Sequence, residues 1–90
     1  MYLVMYDIQS DKLRTRFSKF LEKYGRRLQY SVFEISNSKR ILRSIEIEIE
    51  TVFEKKFSQG DSVLIYDVGD NACVKRFGYP VNEETTLVIL

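Results

Sequence analysis

The chain opens on an apolar run, Met1-Tyr2-Leu3-Val4-Met5-Tyr6, that closes on Asp7 and Ile8. Aromatic and branched residues without a regular polar alternation, stopped by Gln9-Ser10-Asp11, predict a strand buried on both faces. Leu13, Phe17, Phe20, Leu21 and Tyr24 then recur at i, i+4, i+7, i+8 and i+11, a single apolar stripe on a helix. Ser10 or Asp11 can cap its first amides, and Gly25 is expected to supply a left-handed stop. Arg27 to Ile35 reads as extended chain, as one strand or as two pieces bent near Tyr30-Ser31.

Ser36-Asn37-Ser38 gives a turn and a second cap. From Lys39 to Phe57 two periods compete. Ile45-Glu46-Ile47-Glu48-Ile49-Glu50 alternates like a half-buried strand, whereas helical spacing gathers Ile41, Leu42, Ile45, Ile49, Val52 and Phe53 on one face and leaves out only Ile47. Length and strong helix formers favour the helix. Gly60-Asp61 turns the chain into Ser62–Val68, expected to be another strand buried on both faces. Gly69-Asp70-Asn71 signals a hairpin into Ala72–Phe77, and Thr85–Leu90 ends the chain as an apolar strand.

These elements predict one α+β domain over residues 1–90, with no linker or repeat. Two helices cover only one face of a sheet of four or five strands. The other face, and the terminal strand 85–90, then need a further surface. A symmetric homodimer meets both needs, with sheets stacked and tails crossing onto the partner's edges. It would also bring two copies of Asp7 to one axis.

Composition narrows the class. Hydrophobic residues make up 44% and charged residues 30%, as in a folded, water-soluble chain. No apolar run is long enough to span a bilayer, and the first residues do not resemble a secretory signal. A lone cysteine, Cys73, forms no internal disulfide and fits a reducing cytoplasm. The net charge of +1 conceals a segregation. Residues 11–43 carry ten Lys or Arg against three acids, whereas residues 44–90 carry four against nine. A basic half of this kind suits a polyanionic partner, although folding can also interleave charges that are segregated in sequence.

Asp7 is the one charge in the first strand, and a carboxylate there costs free energy to desolvate unless it is paired, hydrogen-bonded or bound to a cation. Arg14 and Arg16 follow on opposite flanks of the helix stripe, near a helix N-terminus where cations oppose the dipole. An acid beside guanidiniums suits a metal and a phosphate; a helix cap or a structural salt bridge is the alternative. With no histidine in the chain, an imidazole base and a Ser-His triad are excluded.

Tyr6-Asp7-Ile8, Asp11, Arg14-Thr15-Arg16, Lys19, Leu21, Tyr24-Gly25, Arg27 and Gln29-Tyr30-Ser31-Val32-Phe33-Glu34 together resemble the small metal-dependent endonuclease family that accompanies the CRISPR integrase in spacer acquisition. The likeness is tight over about the first 35 residues and rests beyond them on size and element order; Asp67 is an additional acid without a counterpart role. The resemblance implies a ferredoxin-like homodimer in which Asp7 of each copy holds Mg²⁺ or Mn²⁺ at the two-fold axis. It implies functional positions at Arg14, Arg16, Arg27 and Phe33, with Tyr6 beside the acid; Lys12 and Lys19 extend the basic set for nucleic acid. The implied activity is cleavage of RNA or duplex DNA phosphodiesters, resting on the metal, which needs only one or two carboxylates. The implied partners are duplex DNA and an integrase subunit, which the dimer bridges. A non-catalytic DNA scaffold and a related toxin-type endoribonuclease are the alternatives.

Overall fold

The computed structural model describes residues 1–36, 38–69 and 77. Its elements run β1 (Tyr2–Asp7), α1 (Asp11–Glu22), β2 (Gly25–Gln29), β3 (Val32–Ile35), α2 (Lys39–Glu48) and β4 (Ser62–Asp67). The strands form a sheet in the order β2-β3-β1-β4, with every neighbouring pair antiparallel. Element order and strand order together make this the ferredoxin-like α+β arrangement expected from the sequence. Of the elements expected after β4, only Gly69 and Phe77 fall among the described residues. The strand over 85–90 lies outside them.

Both helices start as their sequences direct. The Ser10 hydroxyl accepts from the Leu13 amide and the Ser38 hydroxyl from the Ile41 amide, so each first turn has an orphan donor satisfied. The α1 stripe then delivers Leu13, Phe17, Phe20 and Leu21 to the core, against Tyr2, Val4 and Tyr6 of β1 and Phe33 and Ile35 of β3. Phe17 is fully enclosed, with its ring edge-on to Tyr6 and to Phe53 at 5.0 Å between centroids. Edge-to-face rings at this spacing add to the area they bury.

Two strands expected to be buried on both faces are covered on one. In β1, Tyr2, Val4 and Tyr6 are buried, Leu3 and Met5 are half-buried, and Asp7 is exposed. In β4, Val63 and Ile65 touch the core while Leu64 and Tyr66 stand 54% and 50% exposed. The register lines these outward residues into rows: Glu34, Leu3 and Tyr66 in one, Val32, Met5 and Leu64 in the next, Asp7 opposite Ser62 in the last. Among the described residues the helices reach only the opposite face, and this one keeps Leu64 and Tyr66 about half exposed.

The second extended run is two strands, turned at Tyr30 and Ser31, with a bulge between Arg27 and Gln29. Gly25 corrects a sequence expectation. It is the first residue of β2 and does not have positive φ; among the described residues only Gly60 and Gly69 do. Glycine is required because β3 comes so close that a Cβ would sit 1.9 Å from the Glu34 carbonyl oxygen.

The long helix expected over residues 39–57 is α2 followed by a π turn, Ile49–Phe53, and a 3-10 turn, Glu54–Lys56. The Thr51 hydroxyl donates to the Ile47 carbonyl at 2.8 Å, competing for an acceptor of the α ladder. The Glu54 amide donates to Ile49, five residues back. Each wide turn takes up more residues than an α turn, so the phase slips. Ile45 and Phe53 remain buried, but Val52, assigned by α spacing to the inner face, is 42% exposed.

Candidate functional site

β1 ends by pointing Tyr6 inward and Asp7 outward, as successive strand residues must. Asp7 is exposed, contrary to the expectation of a buried strand end. Among the described residues its partner is Gln9, whose Nε2 donates to Oδ1 at 3.3 Å. It is neither the α1 cap, which is Ser10, nor a member of a described ion pair.

Arg14 stands at the same end of the sheet but on the helix side. Its Nη1 donates to the Ile8 carbonyl at 2.9 Å, one peptide beyond Asp7, and Nη2 pairs with Asp11. The hydrogen bond it donates to Asp11 favours the charged form of the guanidinium. A cation near the helix N-terminus is offset locally by Asp11 and by a carbonyl, so its position is not by itself a sign of a bound anion.

Arg27 projects from β2 on the inner side of the sheet. Its Nη1 donates to the Tyr30 carbonyl at 2.8 Å, and its guanidinium carbon lies 5.1 Å from the Phe33 ring centroid and 5.9 Å from that of Tyr30. Phe33 is fully buried and acts as a floor beneath this cation. Tyr6 donates to the same Tyr30 carbonyl at 3.4 Å. Burial raises the Tyr6 hydroxyl above its ordinary value of 10.0, against an opposing pull from Arg27, so it stays a neutral donor near pH 7.

Tyr6, Arg14, Thr15, Ser18, Arg27 and Tyr30 thereby line a cleft of about 200 Å³. Two guanidiniums, two phenols and two small hydroxyl residues suit a phosphate oxyanion. Sequence reasoning found Tyr6, Arg14 and Arg27 but missed Thr15, Ser18 and Tyr30. Tyr30 had a signal, as an aromatic at the tip between two strands; it is 67% exposed. Arg16 and Lys12 lie on the other flank of α1, away from this cleft, and Lys19 is exposed farther along the helix.

Among the described residues no three His, Cys, Asp or Glu side chains converge as a metal cage. The Asp61 carboxylate is occupied: it accepts from the amides of Gln9 and Ser58. Asp7 is left as an exposed carboxylate outside the described ion pairs. That donor set fits Mg²⁺ or Mn²⁺, which accept one or two carboxylates and complete their shell with water and phosphate oxygens.

The family described as CRISPR associated protein Cas2 matches residues 1–76. A Synechocystis protein named CRISPR-associated endoribonuclease Cas2 3 is 35% identical over 66 residues, covering 73% of this chain and 68% of that protein. A crystal structure of a hypothetical protein from Thermus thermophilus superposes with a TM-score of 0.73 at 30% identity, covering 88% of this chain and 90% of the other. The crystal structure of Streptococcus pyogenes Cas2 gives 0.64 at 29% identity, covering 78% and 87%. The strand end at Tyr6-Asp7-Ile8, the turned strands from Arg27 to Glu34 and the β2-β3-β1-β4 sheet all lie within the matched residues, and the chain belongs to the Cas2 family of CRISPR-associated proteins.

Proposed function

We propose that this chain is a metal-dependent endonuclease of CRISPR adaptation that works as a homodimer, with one metal held between two copies of Asp7. Family membership gives it a CRISPR-associated nuclease role. The observation that carries the finer reading is the position of Asp7 on the open face of the sheet, in line with Leu3 and Met5 and beside the apolar row of Val32, Met5 and Leu64. A second copy covering that row would bring the two strand ends, and so the two carboxylates, toward a common axis.

Arg14 and Arg27 would grip phosphates on the helix side of the strand end, with Tyr6 donating a hydrogen bond and Phe33 fixing the Arg27 plane. When bound, a divalent cation supplies polarisation of the phosphate and a water of lowered pKa. Asp7 would hold that cation, and Gln9 would fix the carboxylate orientation. Duplex DNA, contacted through its backbone by the basic half of the chain, and an integrase subunit complete the proposed assembly.

The test is cleavage of labelled RNA and DNA with Mg²⁺ or Mn²⁺ by wild type and Asp7→Asn. Loss of about a hundredfold or more, with an unchanged fold and dimer, supports the enzyme. A second reading, a DNA scaffold without turnover, is favoured because no three acidic or other metal-ligating side chains converge among the described residues. Wild type that does not cleave, together with spacer integration that survives Asp7→Asn, selects it.

A further inference from the structure

The β1–β4 ladder ends where Asp7 pairs with Ser62. Two residues past Asp7, the Gln9 amide has left the ladder and stands just before the α1 cap, Ser10. Asp61, the residue before Ser62, closes that gap with its side chain: Oδ1 accepts from the Gln9 amide at 2.9 Å. Its Oδ2 accepts from the Ser58 amide at 2.8 Å and from the Ser58 hydroxyl at 3.2 Å. The Asp61 amide donates in turn to the Ser58 carbonyl at 3.0 Å. One carboxylate thus ties a closed turn, residues 58–61, to the chain that follows Asp7. Bonds to an ionised acceptor on both oxygens make this a firmer tie than a neutral side chain would give.

Gln9 is placed along its side chain as well. Gly60 has a φ of +99°, a turn conformation that glycine permits, and a Cβ there would lie 4.0 Å from Gln9 Cγ. The stem of Gln9 therefore passes beside the 58–61 turn, and its Nε2 reaches back to Asp7 Oδ1 at 3.3 Å. Asp7 and Gln9 are both exposed, so this link between side chains is not a by-product of core packing. An exposed aspartate left to itself samples several rotamers, and that freedom is lost whenever it holds a ligand. A donor fixed beside one oxygen removes part of the loss in advance.

We infer that Asp61 is a positioning residue for the Asp7 carboxylate and acts on it through Gln9. This rests on the proposed nuclease reading, in which Asp7 holds a divalent cation, and it adds to that site a residue from across the β1–β4 ladder. The oxygens of Asp61 are taken by Gln9 and Ser58, so its part is to orient and not to ligate. Asp61 sets the Gln9 backbone, the backbone directs the side-chain amide, and the amide holds Asp7.

Two measurements on the full chain test this. In heteronuclear NMR spectra without metal, the wild-type Gln9 side-chain amide is expected away from the position of free glutamine amides. Asp61→Ala is expected to return it there, as Asp7→Ala does. Mn²⁺ binding, followed by the paramagnetic resonance of the free ion, is expected to weaken about tenfold in Asp61→Ala and in Gln9→Ala. Because both act through one link, the double variant should lose no more than Gln9→Ala alone, whereas independent losses would multiply to about a hundredfold. Asp61→Asn keeps an acceptor for the Gln9 amide and should stay within about threefold of wild type. Asp61→Ser, too short to reach Gln9, carries the same expectations as Asp61→Ala and replaces it if that variant does not fold, as circular dichroism reports. An unmoved Gln9 amide, unchanged Mn²⁺ binding, or multiplying losses in the double variant overturns the inference. Wild type that binds no Mn²⁺ defeats the metal reading of Asp7, and the amide spectrum alone then decides the positioning.

Discussion

The two faces of the sheet are built from the same strands and have opposite fates. On the helix side, Val4, Phe33 and Ile35 are sealed from solvent. On the other side, Leu3, Met5 and Val32 are only half-buried, and Leu64 and Tyr66 stand open. Strand residues alternate in direction but here do not alternate in polarity, so the sequence carries more apolar surface than one chain's helices can cover. The covered face makes the fold; the other, which also bears Asp7, keeps apolar side chains in contact with solvent and is the face that the proposed dimer would use.

The sharpest way to break this contrast is from within. Phe17→Ala removes a ring that touches Tyr6, Phe20 and Phe53, and is expected to cost about 3–5 kcal/mol in urea unfolding. Gly25→Ala drives a methyl into the Glu34 carbonyl and should cost about 1–3 kcal/mol, with faster amide exchange in β2 and β3. Leu64→Ser with Tyr66→Ser attacks the open face. Stability of the single chain should move by about 0.5 kcal/mol or less, while sedimentation should show the proposed dimer dissociating at concentrations where wild type remains associated. An unaltered association state would show that this face is not the one used.

The smallest effect belongs to a region outside both faces. Asp61 titrates below its ordinary value of 3.8 because the amides of Gln9 and Ser58 donate to its ionised form. Its contribution is therefore present above the unfolded value and fades as pH falls through the lower folded one. Asp61→Asn should flatten that acid limb of the stability profile and leave the neutral region little changed, as read by urea midpoints between pH 2 and pH 6, a window set by ordinary carboxylate values of about 4.

Much of the architecture was legible because its signals are local. The α1 stripe from Leu13 to Leu21, the Ser10 and Ser38 caps and the apolar β1 run each follow from spacing alone. Gly25 could not be read correctly, since its need comes from Glu34, nine residues on, and not from its own helix end. Nor could Val52: the α period was extrapolated through a turn widened where the Thr51 hydroxyl competes for the Ile47 carbonyl. At the site, residue types were readable and partners were not. Arg14 and Arg16 were correctly divided between flanks, but the Asp11 and Ile8 contacts of Arg14, and the arrival of Lys56 beside Arg16, depend on tertiary closure.

The wide turn after α2 acts as a phase adjuster for everything downstream. Excising one residue between Ile49 and Phe53 would hardly alter composition or hydrophobicity, yet it would swing the following segment by about 100°. Phe53 would leave its aromatic neighbours and Lys56 would be aimed elsewhere. For this stretch, inheritance of length matters more than inheritance of residue type: a relative that kept every side chain but lost one position would lose both the anchor and the charge it aims.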